Sequence, residues 1–237
     1  MNEGKFATRV ARAERLSLME LVKETKNLKD VIYMNVGEPD FPTPPHIINA
    51  AIKALKKGYT HYTPDEGIED LRRAVVEKEC ERVNYELDIN NVLITSGATG
   101  ALFSAIMSLI NPGDEVIVQS PWYPGYQRCV KMAEGKLIGI LQREEMDYQL
   151  DIDELNEKIT QKTKAIIIAS PNNPTGGVLS RETLKAIADL AEDHDLKVIF
   201  DEVYEKFVYE GSFESIASIP NIMERTVIIN SSQRLMP

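Results

Sequence analysis

The sequence predicts an α/β fold, a three-layer domain around a mostly parallel, doubly wound sheet. Three observations point there. Short, continuous apolar runs recur along the chain, the pattern of strands covered on both faces. Clear helical patterns lie between several of the runs. The segments behind the runs are rich in glycine, proline, amides and aromatics, and open α/β sheets bind ligands beyond the carboxyl ends of their strands.

The elements run in order along the chain. Residues 7–28 set Val10, Leu16, Leu18, Leu21 and Val22 in a charged background, which predicts a surface helix. Residues 31–44, VIYMNVGEPDFPTP, pass from a short strand into a rigid loop. Thr43 reads as a helix N-cap and Pro44 as the first helical residue. The helix behind them lines up Ile47, Ile48, Ala51, Ile52 and Leu55, and Gly58 ends it. After the loop YTHYTPDEG comes a helix expected to turn Leu71, Val75 and Val76 inward. Strands are predicted at 92–95 (VLIT), 115–119 (EVIVQ), 136–141 (KLIGIL), 165–170 (AIIIAS), 197–200 (KVIF) and 226–230 (TVIIN). Helices are predicted at 99–110 and 181–194, the second with Leu184, Ile187, Leu190 and Ala191 on one face. No Gly/Ser-rich linker, repeat or low-complexity tract divides the chain.

Composition narrows the function. Of 237 residues, 43% are hydrophobic, enough for a sizeable core, and the net charge is −10. That charge argues against nucleic acid and against anionic membranes as partners. No apolar run approaches the length of a membrane span, and the first residues carry mixed charge without the apolar stretch of a secretory signal, so a cytoplasmic location is expected. Cys80 and Cys129 lack CxxC spacing, and His46, His61 and His194 lack metal-ligand spacing, so neither a disulfide framework nor a metal site is expected.

The segments just behind the predicted strands are chemically suggestive. Ser96-Gly97-Ala98-Thr99-Gly100 opens a helix with small residues that let backbone N–H groups approach an anion. SPWYPGY (120–126) offers an aromatic platform, PNNPTGG (171–177) a turn rich in amides, and Asp201-Glu202-Val203-Tyr204 a carboxylate and a phenol. Singly, each has an ordinary structural reading as a turn, a packed loop or a cap. Together they suit a flat, phosphorylated aromatic ligand.

GEPDFPTP (37–44), YTPDEGIEDLR (62–72), SGATGAL (96–102), PWYPGY (121–126), SPNNPTGG (170–177) and DEVY (201–204) stand in the order seen in fold-type-I, pyridoxal-phosphate-dependent aminotransferases, and the chain resembles their aspartate-aminotransferase-like branch from about residue 10 to 231. The resemblance implies an enzyme that moves an amino group from an amino acid to a 2-oxo acid with pyridoxal 5'-phosphate. It implies that Gly97, Ala98 and Thr99 hold the cofactor phosphate, and that Tyr123 stacks on the ring. Asn173 and Tyr204 would hydrogen-bond the ring oxygen, and Asp201 would pair with the ring nitrogen. Gly37 would lie against the substrate carboxylate. Tyr62 would reach the phosphate of a neighbouring subunit, which implies a homodimer.

The chain also departs from the pattern. Where the family has its catalytic lysine, in a segment like NSFSK, this sequence reads NSSQR and places Arg234. An arginine stays protonated and supplies no reactive amine. No catalytic residue is therefore assigned, and little or no transfer activity is expected of this chain. By the resemblance, residues 1–40 are an N-terminal segment, 41–237 are a partial large domain incomplete at its C-terminus, and a small C-terminal domain is absent. A one-base frameshift and a naturally shortened paralogue both give such an ending, and the nucleotide sequence past codon 230 separates them. The alternative reading is a non-catalytic, cofactor- or partner-binding fragment. A nucleotide-binding domain ranks lower, since no GxGxxG stands behind the first strand.

Overall fold

A computed structural model describes residues 7, 9–10, 28–32, 34, 37, 41–83 and 85–232. The helix expected over 7–28 and the position of Arg234 fall mostly or wholly outside the described residues. Of the strand expected at the start of 31–44, the described residues Val31, Ile32 and Met34 are not in a strand. The chain divides into two units, one up to His61 and one from Tyr62 onward.

In the first unit, helix α1 spans Pro45–Lys56. It starts one residue later than the sequence predicts: Pro44 is the N-cap and Pro45 the first helical residue. A residue before proline is pushed out of the helical region, and Pro44 has ψ 140° accordingly. The helix closes on Gly58, with Gly58 N–H donating to Leu55 O and Tyr59 N–H to Ala54 O, the paired bonds of a Schellman motif. Its apolar stripe is exposed at Ile48, Ile52 and Leu55.

The second unit begins with α2 (Glu69–Cys80) and α3 (Gly97–Leu109). Then β1 (Glu115–Ser120), α4 (Pro124–Met132), β2 (Lys136–Leu141), α5 (Ile152–Lys158) and β3 (Thr163–Ala169) alternate. Helix α6 (Arg181–Asp193), β4 (Lys197–Asp201) and β5 (Thr226–Ile229) complete it. The strands form one sheet in the order β2-β1-β3-β4-β5, and every neighbouring pair is parallel.

Strand periodicity sends alternate residues to opposite faces, and both faces are buried. Val116, Val118, Ala165, Ile167 and Ile199 pack with Leu102 and Ile106 of α3 and Tyr126 and Val130 of α4. Ile117, Ile166, Ile168, Val198 and Phe200 pack with Leu155 of α5 and Leu184 and Ile187 of α6. The three-layer, doubly wound fold is therefore present as the sequence predicts. Every strand predicted from residue 92 onward but one lies where the apolar runs place it.

The exception is 92–95. Its residues are not in a strand, Leu93 is exposed, and Ile94 N–H donates to Glu66 O in the preceding loop. An apolar run becomes a strand only by finding a ladder partner, and Val92–Thr95 finds none among the described strands. Helix α2 also differs from expectation. Leu71 is exposed, and Val75 and Val76 are only half-buried. This helix is anchored through charge. Arg72 Nε donates to Ile89 O and Val92 O at 3.0 and 3.1 Å. Just past its end, Arg82 meets Glu79, Glu202 and Glu205.

Glu202 is fully buried. Burial pushes its carboxyl up to about 7, against the pull of Arg82 and of the Ser215 hydroxyl, while Glu79 and Glu205 push the same way as burial. A carboxyl raised in the fold binds a proton there that the unfolded chain has already released. Its contribution to stability is complete below the ordinary value of 4.5 and is lost as pH rises through about 7. Glu202→Gln removes this dependence. Compared with that variant across urea unfolding at a series of pH values, the wild type is expected to lose about 3 kcal/mol between pH 4 and pH 8. A constant difference between the two proteins rejects this account of Glu202.

Candidate functional site

The strand order reverses between β1 and β3, the point at which an open α/β sheet leaves a crevice at its carboxyl end. The last paired residues there are Val118 and Ile167. Beyond them the Gln119 side chain takes over, its Oε1 accepting from Ala169 N–H at 2.6 Å. The two strands thus end on a side chain and the loops behind them diverge. Tyr123 lies just past β1 and Asn173 just past β3.

Tyr123 is the N-cap of α4, whose first helical residue is Pro124. Its ring folds back over Gly125, where a Cβ would lie 2.2 Å from Tyr123 Cε1. Only a glycine leaves that space. The ring meets Tyr126 edge-on, with centroids 5.6 Å apart. The Tyr126 hydroxyl in turn donates to Asp201 Oδ2 at 2.7 Å. Both residues are buried. Burial, and then the neighbouring Asp201 carboxylate, push the Tyr126 phenol well above its ordinary value, so it remains a donor. Asp201 ends β4, and its Oδ1 accepts from Val203 N–H at 3.1 Å.

Three residues beyond Asp201, the Tyr204 hydroxyl accepts from Asn173 Nδ2 at 3.4 Å. The loop bearing Asn173 is held by its neighbour. Asn172 is buried, and its amide donates to Gln142 Oε1 at 2.7 Å and Thr175 Oγ1 at 3.0 Å. Backbone bonds from Asn172 N–H to Gly177 O and from Gly176 N–H to Asn172 O close the turn. The paired amides in the sequence therefore divide the work: Asn172 shapes the loop, and Asn173 faces Tyr204.

At α3, Ser96 is the N-cap and makes no side-chain capping bond. Gly97 has φ +69°, and nothing lies within 4 Å of where its Cβ would be. Thr99 is exposed and Ala98 half-buried. Gly97 N–H is taken by Thr95 O at 2.8 Å, and the N–H groups that follow it in the first turn lie at the positive end of a helix, suited to an anion. Tyr62 is fully exposed. Gly37, also exposed, belongs to the other unit.

At the carboxyl ends of β1, β3 and β4 the second unit thus links Tyr123 through Tyr126 to Asp201, and Asn173 to Tyr204. Sequence reading overlooked Tyr126, Gln119, Gly125 and Asn172. Only Tyr126 had a signal: three residues past Tyr123 on a helix, it shares that residue's face. Among the described residues, no group of three or more His, Cys, Asp and Glu side chains is placed to hold a metal, and no helix is long and apolar enough to cross a membrane.

Tyr126→Phe removes a hydrogen bond to a buried carboxylate. It is expected to lower stability in urea unfolding by about 1.5–3 kcal/mol, the range for bonds to charged groups. A change near zero shows that the pair has no such role.

The chain is similar to known proteins along most of its length. The chain is 42% identical over 226 residues to an aspartate aminotransferase of Pyrococcus horikoshii, covering 95% of this chain and 58% of that protein. It is 40% identical to an aromatic-amino-acid aminotransferase of Thermococcus litoralis, covering 90% of this chain and 55% of that one. Among solved structures, aspartate aminotransferase from Thermus thermophilus with maleate superposes with a TM-score of 0.91 at 34% identity, over 96% of this chain and 60% of that one. The chain spans a little under three fifths of the length of the curated relatives it matches. The model of aminotransferase class I and II matches residues 29–232, and the chain belongs to that family.

Proposed function

We propose that this chain is the cofactor-holding part of an aminotransferase that moves an amino group from an amino acid to a 2-oxo acid, with pyridoxal 5'-phosphate as cofactor. The observation that carries the reading is the buried Asp201, fixed by Tyr126 at the carboxyl end of β4 with the Tyr204–Asn173 pair beside it. A buried carboxylate facing a ligand crevice is suited to a protonated ring nitrogen. The residues present fit the cofactor. The open, uncapped start of α3 suits a phosphate, and a half-buried aromatic ring and two hydrogen-bonding groups suit a hydroxylated pyridine.

In this reading Gly97, Ala98 and Thr99 hold the phosphate: Gly97 leaves the space for it, and the backbone N–H groups of Ala98 and Thr99 and the Thr99 hydroxyl bind it. Tyr123 stacks on the ring and excludes water from one face. Asn173 and Tyr204 orient the ring through its oxygen. Asp201 holds a proton on the ring nitrogen, and Tyr126 keeps the carboxylate aimed. The cofactor, when bound, withdraws electrons from the substrate carbon. Gly37 is assigned to the substrate carboxylate. Tyr62, free of burial within the chain, is assigned to the phosphate of a second subunit in a homodimer. Residues 1–40 form an N-terminal segment and 41–237 part of the large domain. Arg234 supplies no amine for covalent attachment, so this chain holds the cofactor by non-covalent contacts and turns over little or no substrate. The two relatives named for aspartate and for aromatic amino acids bracket the side chains to test first in a full-length protein.

The test is a titration with pyridoxal 5'-phosphate monitored by absorbance, at a series of pH values. Asp201→Ala is expected to keep most of the binding while the bound ring nitrogen loses its proton about one to two pH units lower, the shift that one charged hydrogen bond supports. Asn173→Ala is expected to leave that titration in place and weaken binding by about fivefold, one neutral hydrogen bond. The reverse pattern removes Asp201 from its assigned role.

A further inference from the structure

Asp201 and Glu202 are consecutive, so they leave the end of β4 on opposite sides. The site uses Asp201. Glu202 points to the other side, into a cluster of charges that the proposed chemistry does not use. There Arg82 Nη2 lies 2.8 Å from Glu202 Oε2. Arg82 Nη1 pairs with Glu205. The same guanidinium meets Glu79 one turn back and rests over the Phe213 ring at 5.8 Å. The Ser215 hydroxyl donates to the other oxygen of Glu202. Lys78 Nζ adds a second cation to Glu205 at 2.8 Å, and Lys206 stands 3.8 Å from it.

The two carboxylates that Arg82 grips are the ends of one turn. Glu205 N–H donates to Glu202 O at 2.9 Å and closes it. Glu202 N–H donates to Ile229 O and ties its start to β5. Tyr204 lies inside the turn, and Asp201 immediately precedes it. The Glu202 and Glu205 side chains are almost without solvent contact, at 0% and 2% exposure. A buried carboxylate stripped of its cation is strongly disfavoured. Without Arg82, Glu205 keeps Lys78 but Glu202 loses its cation. Relief comes if Glu202 takes up a proton or its end of the turn moves toward water, and either change releases the turn that sets Asp201 and Tyr204.

We propose that Arg82 is a positioning residue that, by clamping Glu202 and Glu205 in one guanidinium fork, sets where Asp201 and Tyr204 meet the cofactor ring. This rests on the assignment of the ring to Asp201 and Tyr204. A fork is needed because two carboxylates at the two ends of a turn must be held at fixed separation. A lysine ammonium is a single point charge and holds one end at a time.

The experiment measures binding of pyridoxal 5'-phosphate and of inorganic phosphate to the wild type, Arg82→Met and Arg82→Lys, with the pH titration of the bound ring. The phosphate cradle lies on α3, apart from the clamp. Arg82→Met is expected to weaken pyridoxal 5'-phosphate about tenfold, the size of one charged hydrogen bond, and to lower the ring titration by about one pH unit. Inorganic phosphate is expected to bind within twofold of the wild type. Arg82→Lys is expected to fall between, and it supplies the same readouts if Arg82→Met does not fold. Parallel loss of both ligands shows a merely structural role and overturns the proposal, as do wild-type values in both variants. A wild type that binds no pyridoxal 5'-phosphate overturns the proposed function itself, and the positioning role with it.

Discussion

A carboxylate is kept inside a protein only where the surroundings compensate it. That constraint, applied at the end of β4, organises much of the second unit. Asp201 and Glu202 are both buried and adjacent, yet they are served by different partners on different sides of the sheet. Tyr126, on a helix packed against one face, holds Asp201. Arg82, beyond a helix with no buried residue, holds Glu202. A single strand end is thus braced from two directions, and the crevice inherits that rigidity.

The compensation has a cost that the fold distributes. Parallel strands need helices on both faces, and α3, α4, α5 and α6 supply them with large apolar contacts. Helix α2 contributes little to that core. Its work is done by Arg72 on backbone carbonyls and by the charged residues around Arg82. A helix held by charges in this way is sensitive to protonation at Glu202, whereas the sheet and its apolar covers are not.

The same separation of tasks recurs at the crevice. Gln119 replaces a ladder bond at the point where β1 and β3 part. Asn172 ties the β3 loop to Gln142 and Thr175. Gln119 Oε1 and Asn172 Nδ2 are satisfied by neighbours in the scaffold, whereas Gln119 Nε2 and Asn172 Oδ1 are buried without a hydrogen-bond partner among the described residues. Tyr123, Asn173 and Tyr204 are half-buried rather than locked in the core.

Five strands, the helices α3 and α6 and the order of the site segments were legible in the residues, whereas α4 and α5 were not singled out. Burial on both faces forces continuous apolar runs, and small, aromatic or amide-rich turns must lie behind strands that end at a ligand. Asp201, Tyr123, Asn173 and Tyr204 lie in segments directly behind such runs, and the resemblance to the aminotransferases singled them out within those segments. Val92–Thr95 could not be judged in that way, since the run is apolar but a strand exists only through hydrogen bonds to another. Leu71 likewise sits in a helical pattern whose exposure depends on what packs beside it. Tyr126 with Asp201, and Arg82 with Glu202, are 75 and 120 residues apart in the chain. Local pattern sets the type of each element, because side-chain period and backbone preference are local properties. Which charge meets which partner is set by the tertiary packing of helices and strands, because only that brings distant residues within hydrogen-bonding reach.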